Sequence, residues 1–299
     1  MRRILMVVAL FLASTWLSSG ADTSSVRPAI SGLAFVRVRV ADLEKANRFY
    51  SGTVGLPALS CPGQNEKCFF VSPGQEVDLI KSELVPSENL IALIGIYTSN
   101  ASALRKYLLS KGQKPEEIIT DSNGIIHFRV KDPENHAIEF VQAHGIASSV
   151  RSPILRDSKM IHAGFVVKDR AAMDAFYKDI LGFHLYWQGG MKDGEKSWVS
   201  MQMPDSADWI EYMLNISQDA DKHLLGVMNH IAIGVPDVKV AGKEIEARGI
   251  KLTEQPKLGR DGKWQLNMYD PDDTRVELMD FTPTEKPCCS EFTGTHPKP

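Results

Sequence analysis

Positive charge is in short supply. The chain has 34 Lys and Arg against 37 Asp and Glu, a formal net charge of −3, and without a basic face there is no electrostatic footing for nucleic acid. Cysteine is scarce too. The four present form no CxxC and no second pair at zinc-ribbon spacing, which leaves out a thioredoxin-like redox motif and a structural zinc site. No phosphate-binding glycine motif and no Ser–His–Asp signature occurs, so nucleotide cradles and triad hydrolysis have no sequence basis. The apolar run Ile4 to Ala13 is too short for a membrane span, which needs ~20 residues.

What remains is an ordinary globular composition, 43% hydrophobic and 24% charged. At ~150 residues per domain, 299 residues suggest two domains. Arg2 and Arg3, the apolar run, and the small residues Ser18-Ser19-Gly20-Ala21 have the order of a secretory signal over residues 1–21. A periplasmic or secreted protein is expected, with no stable membrane insertion once the signal is cleaved. Cys61 and Cys68 bracket a polar turn that a disulfide could staple, as an oxidising compartment permits. Cys288 and Cys289 are adjacent in a Pro- and Thr-rich tail, 284–299, expected to be disordered.

The informative feature is self-similarity. Asp42, Tyr50 and Gly55 recur as Asp169, Tyr177 and Gly182, each at an offset of 127 residues, and a Phe precedes both tyrosines. Asp132-Pro133 and Glu139 recur as Asp270-Pro271 and Glu277 at an offset of 138. Two such pairs at near-equal offsets indicate a duplicated half. Within each half, an alternating β-rich run precedes a helix that Asp42 or Asp169 caps. Met173, Phe176, Tyr177, Ile180 and Leu181 form a helical apolar stripe that Gly182 ends. Short strands follow, including Lys196–Met201, Ile210–Leu214 and His230–Val235, and a helix runs from Val238 to Arg248. The unit is βαβββ, repeated four times over 31–82, 88–143, 159–216 and 227–282, which makes the fold α+β. The expected domains are 30–146 and 159–283, joined by a linker at 147–158.

Units three and four carry the chemistry. His162 and His230 open their first strands, and each is followed seven residues later by an Asp. Glu211 and Glu277 interrupt their apolar closing strands, 49 and 47 residues after the respective histidines. An unpaired carboxylate in such a strand is costly. Two imidazoles and two carboxylates around one cleft suit a single divalent ion of the Ni, Co, Zn, Mn or Fe kind. Trp187, Trp198, Trp209 and Trp264 all lie in this half and are candidates to line a pocket for a small-molecule substrate. Arg260 and Lys263 form a basic pair able to hold an anionic substrate.

The βαβββ quartet, the Phe-Tyr…Gly helix and the Asp-Pro…Glu closing strand resemble the vicinal oxygen chelate superfamily. That superfamily includes glyoxalase I, epimerases, extradiol dioxygenases and bleomycin-resistance proteins. The resemblance implies paired modules, each pair a curved sheet around a cleft. The ligand order His162, Glu211, His230, Glu277 is similar to that of glyoxalase I-like enzymes. It implies a lyase or isomerase of a small carbonyl or hydroxy-carbonyl substrate, proceeding through a metal-stabilised enediolate. Glu277 would be the base and Glu211 its partner. Asn215, four residues after Glu211, falls where such enzymes hold glutathione, and Trp264 is assigned to the substrate. The Arg expected four residues after the first ligand is Val166 here.

Two other readings stay open. An extradiol-type Fe(II) dioxygenase would use His162, His230 and Glu277, but the family's Tyr, ten residues before the closing Glu, is Asn267 here, and no His precedes it in that segment. A non-catalytic binder of the same fold would not need four ligands. The first half loses the imidazoles: the offsets place Phe35 and Ala92 at those positions, while Glu139 survives and Asp78 is the sole acid in its strand 77–80. That half is expected to lack metal.

Overall fold

A computed structural model describes residues 26–299 except 62, 86–88, 143–151, 153–154 and 218. The expected signal segment and most of the expected linker lie outside the described residues.

The first half runs β1 (Ile30–Val40), α1 (Leu43–Asn47), β2 (Ala58–Leu59), β3 (Glu66–Ser72), β4 (Gln75–Lys81), β5 (Ile91–Thr98), α2 (Ala101–Ser110), β6 (Ile119–Thr120), β7 (Ile126–Lys131) and β8 (Ala137–Gln142). The second runs β9 (Lys159–Val166), α3 (Arg170–Asp174), β10 (His184–Gly189), β11 (Trp198–Gln202), β12 (Trp209–Met213), α4 (Lys222–Met228), β13 (His230–Val235), α5 (Val238–Ala247), β14 (Lys257–Leu258), β15 (Trp264–Tyr269) and β16 (Arg275–Asp280). Each half is one eight-stranded mixed sheet. The strand orders are β2-β3-β4-β1-β5-β8-β7-β6 and β10-β11-β12-β9-β13-β16-β15-β14, so the second sheet repeats the first strand for strand. The four βαβββ units expected from the repeats are present, with α4 added between the third and fourth.

Local chemistry sets these elements. In β1, Val36, Val38 and Val40 are buried while the intervening arginines face the other side, as strand alternation requires. The Asp42 carboxylate accepts from the Glu44 and Lys45 amides, and Asp169 accepts from Ala172, meeting backbone donors that a helix start leaves open. Both helices then widen into π turns, Arg48–Val54 and Ala175–Ile180. Gly55 and Gly182 end them at φ 88° and 79°, a left-handed geometry that suits a residue without Cβ.

The repeated motifs turn out to hold the halves together. The Tyr50 hydroxyl donates to Asp270 at 3.3 Å, and the Tyr177 hydroxyl donates to Asp132 at 3.1 Å. Beside them, the Ala41 amide donates to Asp272, while the Lys168 and Asp169 amides donate to Glu134. Each half's Asp-Pro turn is thus the acceptor for the helix start of the other. Gln75 crosses the same seam, donating to the carbonyls of Leu33 and Met160.

Disulfides join Cys61 to Cys68 and Cys288 to Cys289. The tail expected to be disordered is instead packed against the second sheet. Thr293 N donates to the Tyr186 carbonyl, Trp187 Nε1 to the Cys288 carbonyl, Gln188 N to Ser290 Oγ, and Gln202 Nε2 to the Thr295 carbonyl. Strand β10 is the edge of its sheet, and an edge offers unpaired backbone groups to any segment that reaches it.

Candidate metal centre

Alternation puts residues two apart on one face of a strand. On β9 these are His162 and Gly164, on β12 Trp209 and Glu211, on β13 His230 and Ala232, and on β16 Arg275 and Glu277. The ladders align them in two rows across β12-β9-β13-β16. One row reads Glu211, Gly164, His230, Arg275; the next reads Trp209, His162, Ala232, Glu277. In each row one small residue separates an imidazole from a carboxylate. Gly164 makes that spacing usable: a Cβ there would lie 2.0 Å from His230 Cε1 and 2.4 Å from its Nδ1. The imidazole occupies the room the missing side chain leaves.

Four donor atoms converge as a result. The two Nε2 atoms are 2.9 Å apart. From His162 Nε2 the distances are 3.8 Å to Glu211 Oε2 and 3.7 Å to Glu277 Oε2; from His230 Nε2 they are 3.3 Å and 3.9 Å. With metal–ligand bonds of ~2.1 Å, neighbouring donors stand ~3.0 Å apart at right angles and ~3.4 Å apart in a tetrahedron. The five separations that involve an imidazole bracket those values; His162, His230 and Glu277 all lie within 4.8 Å of one another, and Glu211 joins them through the imidazoles.

The electrostatics suit a cation as well. Burial pushes both imidazoles well below the ordinary histidine range, so they are neutral, the ligating form. His230 Nδ1 donates to the Met228 carbonyl at 3.0 Å. A carbonyl only accepts, so the proton sits on Nδ1 and the Nε2 lone pair faces the other donors. His162 stacks on Trp209, ring centroids 4.7 Å apart. Burial raises the Glu277 carboxyl to about 7, with Arg275 opposing. Glu211 accepts from Ser200 Oγ at 3.1 Å. Neutral imidazoles and carboxylates in need of a counter-charge fit a divalent ion.

Above these donors lies a cavity of about 440 Å³. Its walls include Trp187, Trp198, Trp209, Met213 and Met279 from the strands and Phe292 from the tail.

The sequence profile of the Glyoxalase/Bleomycin resistance protein/Dioxygenase superfamily matches residues 159–278, a stretch containing all four donors. Those residues are a domain of that superfamily. A curated relative, a probable chloroplastic lactoylglutathione lyase of Arabidopsis thaliana, is 27% identical over 135 residues, 44% of this chain. The match spans about two fifths (38%) of that relative's length. Among solved structures, homoprotocatechuate 2,3-dioxygenase of Brevibacterium fuscum aligns at a TM-score of 0.66 and 17% identity, over 91% of this chain and 88% of that one. The enzyme of the same name from Arthrobacter globiformis gives 0.67 and 18%, over 90% and 87%. The 2,3-dioxygenase LapB of Pseudomonas sp. KL28 gives 0.66 and 16%, over 92% and 96%. At these identities the structural likeness establishes the fold alone, two eight-stranded mixed sheets in one chain.

The expected substrate residues fare unevenly. Arg260 lines the cavity, with its guanidinium on the Gly190 carbonyl and Asp193. Lys263 does not line it. Its ammonium is wholly buried among the rings of Tyr186, Trp209 and Phe292 and donates to Tyr186 Oη at 3.1 Å. Trp264 faces the opposite way, under Lys239 of α5, because Gln265, Asn267 and Tyr269 take the cavity side of β15. Asn215 is exposed in a left-handed turn after β12, bonded to Ser197 and outside the cavity. The residues that sequence reading passed over are Gly164, Ala232 and Arg275.

Register also fixes the counterparts in the first half. Phe35 stands where His162 does, Asp78 where Glu211 does and Glu139 where Glu277 does. Leu93, rather than the expected Ala92, stands at the His230 position, because the second half has one residue more between β13 and β16 than the first has between β5 and β8, so the offset of the closing strands does not carry back to β5. At the place of Gly164 is Arg37, whose guanidinium pairs with Asp78 at 3.0 Å. A side-chain cation stands where, in the second sheet, the glycine makes room for the His230 imidazole.

Proposed function

We propose that the second sheet holds one divalent ion on His162, Glu211, His230 and Glu277, and that the chain is an exported glyoxalase-like lyase or isomerase of a small carbonyl or hydroxy-carbonyl compound. The single observation carrying this reading is the convergence of four donors, two from each row, on the cavity floor. A bound ion would polarise adjacent substrate oxygens and offset negative charge that develops on them. The chain's own residues supply the rest. Glu277, almost wholly buried, is the candidate acceptor of a substrate proton at Oε2; Glu211, across the imidazole pair, is the candidate for returning it. Trp187 and Trp198 wall the cavity with apolar surface and limit water around the reacting carbon. Export rests on the amino-terminal sequence pattern and agrees with two disulfides.

The extradiol reading draws support from the dioxygenase neighbours, whose likeness spans both sheets. Against it, Glu211 is surplus to a three-ligand centre, and Tyr269 gives its hydroxyl to Glu254 at 2.6 Å. Adding Ni, Co, Zn, Mn or Fe(II) separately to metal-free protein separates the two. Conversion of a dicarbonyl-derived hemithioacetal or hydroxy-ketone without oxygen uptake, lost in His230→Ala, supports the lyase or isomerase. Oxygen consumption with catechols and Fe(II) alone would replace it with the dioxygenase. Absence of metal retention and of either activity would leave a small-molecule binder.

A further inference from the structure

Three cationic side chains line the second-sheet cavity: Lys257, Arg260 and Arg275. Lys257 pairs with Glu254 at 2.6 Å, and Arg260 with Asp193. The Arg275 side chain makes no hydrogen bond or ion pair among the described residues, and its Nε is buried without a partner. Its place in the ladder is directly beside His230, on the side away from Gly164, with Tyr269 next across β15. That place, in the same cavity wall as Glu211 and Glu277, puts Arg275 beside the donor quartet, and its charge bears on His162, His230 and Glu277 alike. Asn267, one row over and opposite Glu277, leaves its Oδ1 unpartnered in the same wall.

The guanidinium is half-buried, and its Nε has given up water without gaining a partner, which is costly for a polar group in a low-dielectric cleft. The charge balance says what would satisfy it. Neutral imidazoles contribute nothing, and two carboxylates match one divalent ion, so the charge on Arg275 is left over. A ligand carrying one negative charge closes the balance. The planar fork suits a carboxylate bound through both oxygens, and the tryptophans and methionines of the walls suit an apolar body.

We infer that the cavity takes a small organic monoanion, its carboxylate seated on Arg275 beside the metal and its apolar part against Trp198 and Met213. The inference rests on the metal reading above for its charge balance. It moves the anion site away from the basic pair singled out in the sequence, because Arg260 is tied to Asp193 and Lys263 is sealed behind rings.

Mandelate and its neutral isostere mandelamide are suitable probes, titrated calorimetrically into wild type, Arg275→Met and Arg275→Lys, each with and without zinc, with metal content measured by elemental analysis. Losing a charge-assisted hydrogen-bond partner weakens binding by about 10- to 100-fold. That loss is expected for mandelate in Arg275→Met, with partial recovery in Arg275→Lys and no change for mandelamide, at unchanged zinc content. Equal mandelate affinity in wild type and both variants, or no saturable mandelate binding to the wild type, overturns the inference. Should no variant nor wild type retain zinc, the metal reading fails. Mandelate binding that still falls in Arg275→Met then upholds the anion site alone. If Arg275→Met does not fold, Arg275→Lys decides: affinity equal to wild type overturns the proposal, and a several-fold loss supports it.

Discussion

Gly164→Ala is the smallest change that should empty the candidate metal centre. The added Cβ would lie 2.0 Å from His230 Cε1, 2.4 Å from Nδ1 and 2.7 Å from Nε2. Ordinary contact begins near 3.4 Å, so the near edge of the ring must retreat by more than about 1 Å, whereas metal–ligand bonds hold to about ±0.2 Å. His230 is fully buried, and no open side exists along which it could swing and keep Nε2 among the other three donors. Loss of that donor should weaken metal binding by at least about 100-fold, or about 2.7 kcal/mol. Linkage gives a second readout. Metal at 100 times the wild-type dissociation constant stabilises the wild type by about 2.7 kcal/mol, and a variant bound 100-fold more weakly gains only about 0.4 kcal/mol. Competition against a chromogenic chelator measures the first quantity, and urea unfolding with and without zinc the second. Overpacking alone costs typically about 1–3 kcal/mol in the metal-free protein, so both states need to be measured. Ala232→Gly, which shortens the other spacer without a clash, should bind metal nearly as wild type does. If Gly164→Ala binds metal with wild-type affinity and stoichiometry, the two-row geometry is not what organises the site.

Lys263 tests the buried electrostatics. Burial pulls its ammonium down to about 8 from an unfolded value near ~10.4. The unfolded chain therefore holds the proton where the folded one has released it, and this term adds stability as pH rises from about 8 towards the unfolded value. The term is lost again as pH falls through 8. Lys263→Met should abolish it, seen as a smaller gain than wild type in urea-unfolding free energy between pH 7.5 and 9.5; identical gains would refute it. Tyr177→Phe should cost about 1 kcal/mol, since Asp132 keeps His136 Nδ1 and two backbone amides, and Tyr50→Phe a similar amount; thermal denaturation reads both. Removing residues 284–299 uncovers the wall formed by Phe292, so tryptophan emission should shift to the red and the melting temperature fall. An unchanged spectrum would mean the tail does not shield those rings in solution.

Much of the site was legible because duplication repeats it. One imidazole at a strand start means little, but His162 and His230 at matching places, each with a strand glutamate, point to a single centre. Parity decided what was misread. Asn267 lies opposite Glu277, so Trp264, three residues earlier, has to face α5, and its bulk gave no hint of that. Leu93 for Ala92 is a one-residue slip caused by the longer connection between β13 and β16 than between β5 and β8, which an offset taken from the closing strands does not reveal. Gly164 went unnoticed because its contribution is the absence of atoms, visible only once His230 stands beside it. The tail has the polar composition of a solvated segment, yet its order comes from backbone bonds to an edge strand and from one phenylalanine, neither of which composition records.

The crossed ties between halves bear on how far the two sheets are free to diverge. Each tyrosine in the repeated helix is a fully buried phenol whose one acceptor among the described residues belongs to the other half. Neither sheet alone can satisfy its own tyrosine, and an unmet buried hydroxyl costs about 1–3 kcal/mol. The first sheet carries Phe35 and Leu93 where the second has its imidazoles, yet it cannot give up Asp132 without unsettling the helix beside the second sheet. The half without the imidazole pair is in this sense a splint for the half that has it.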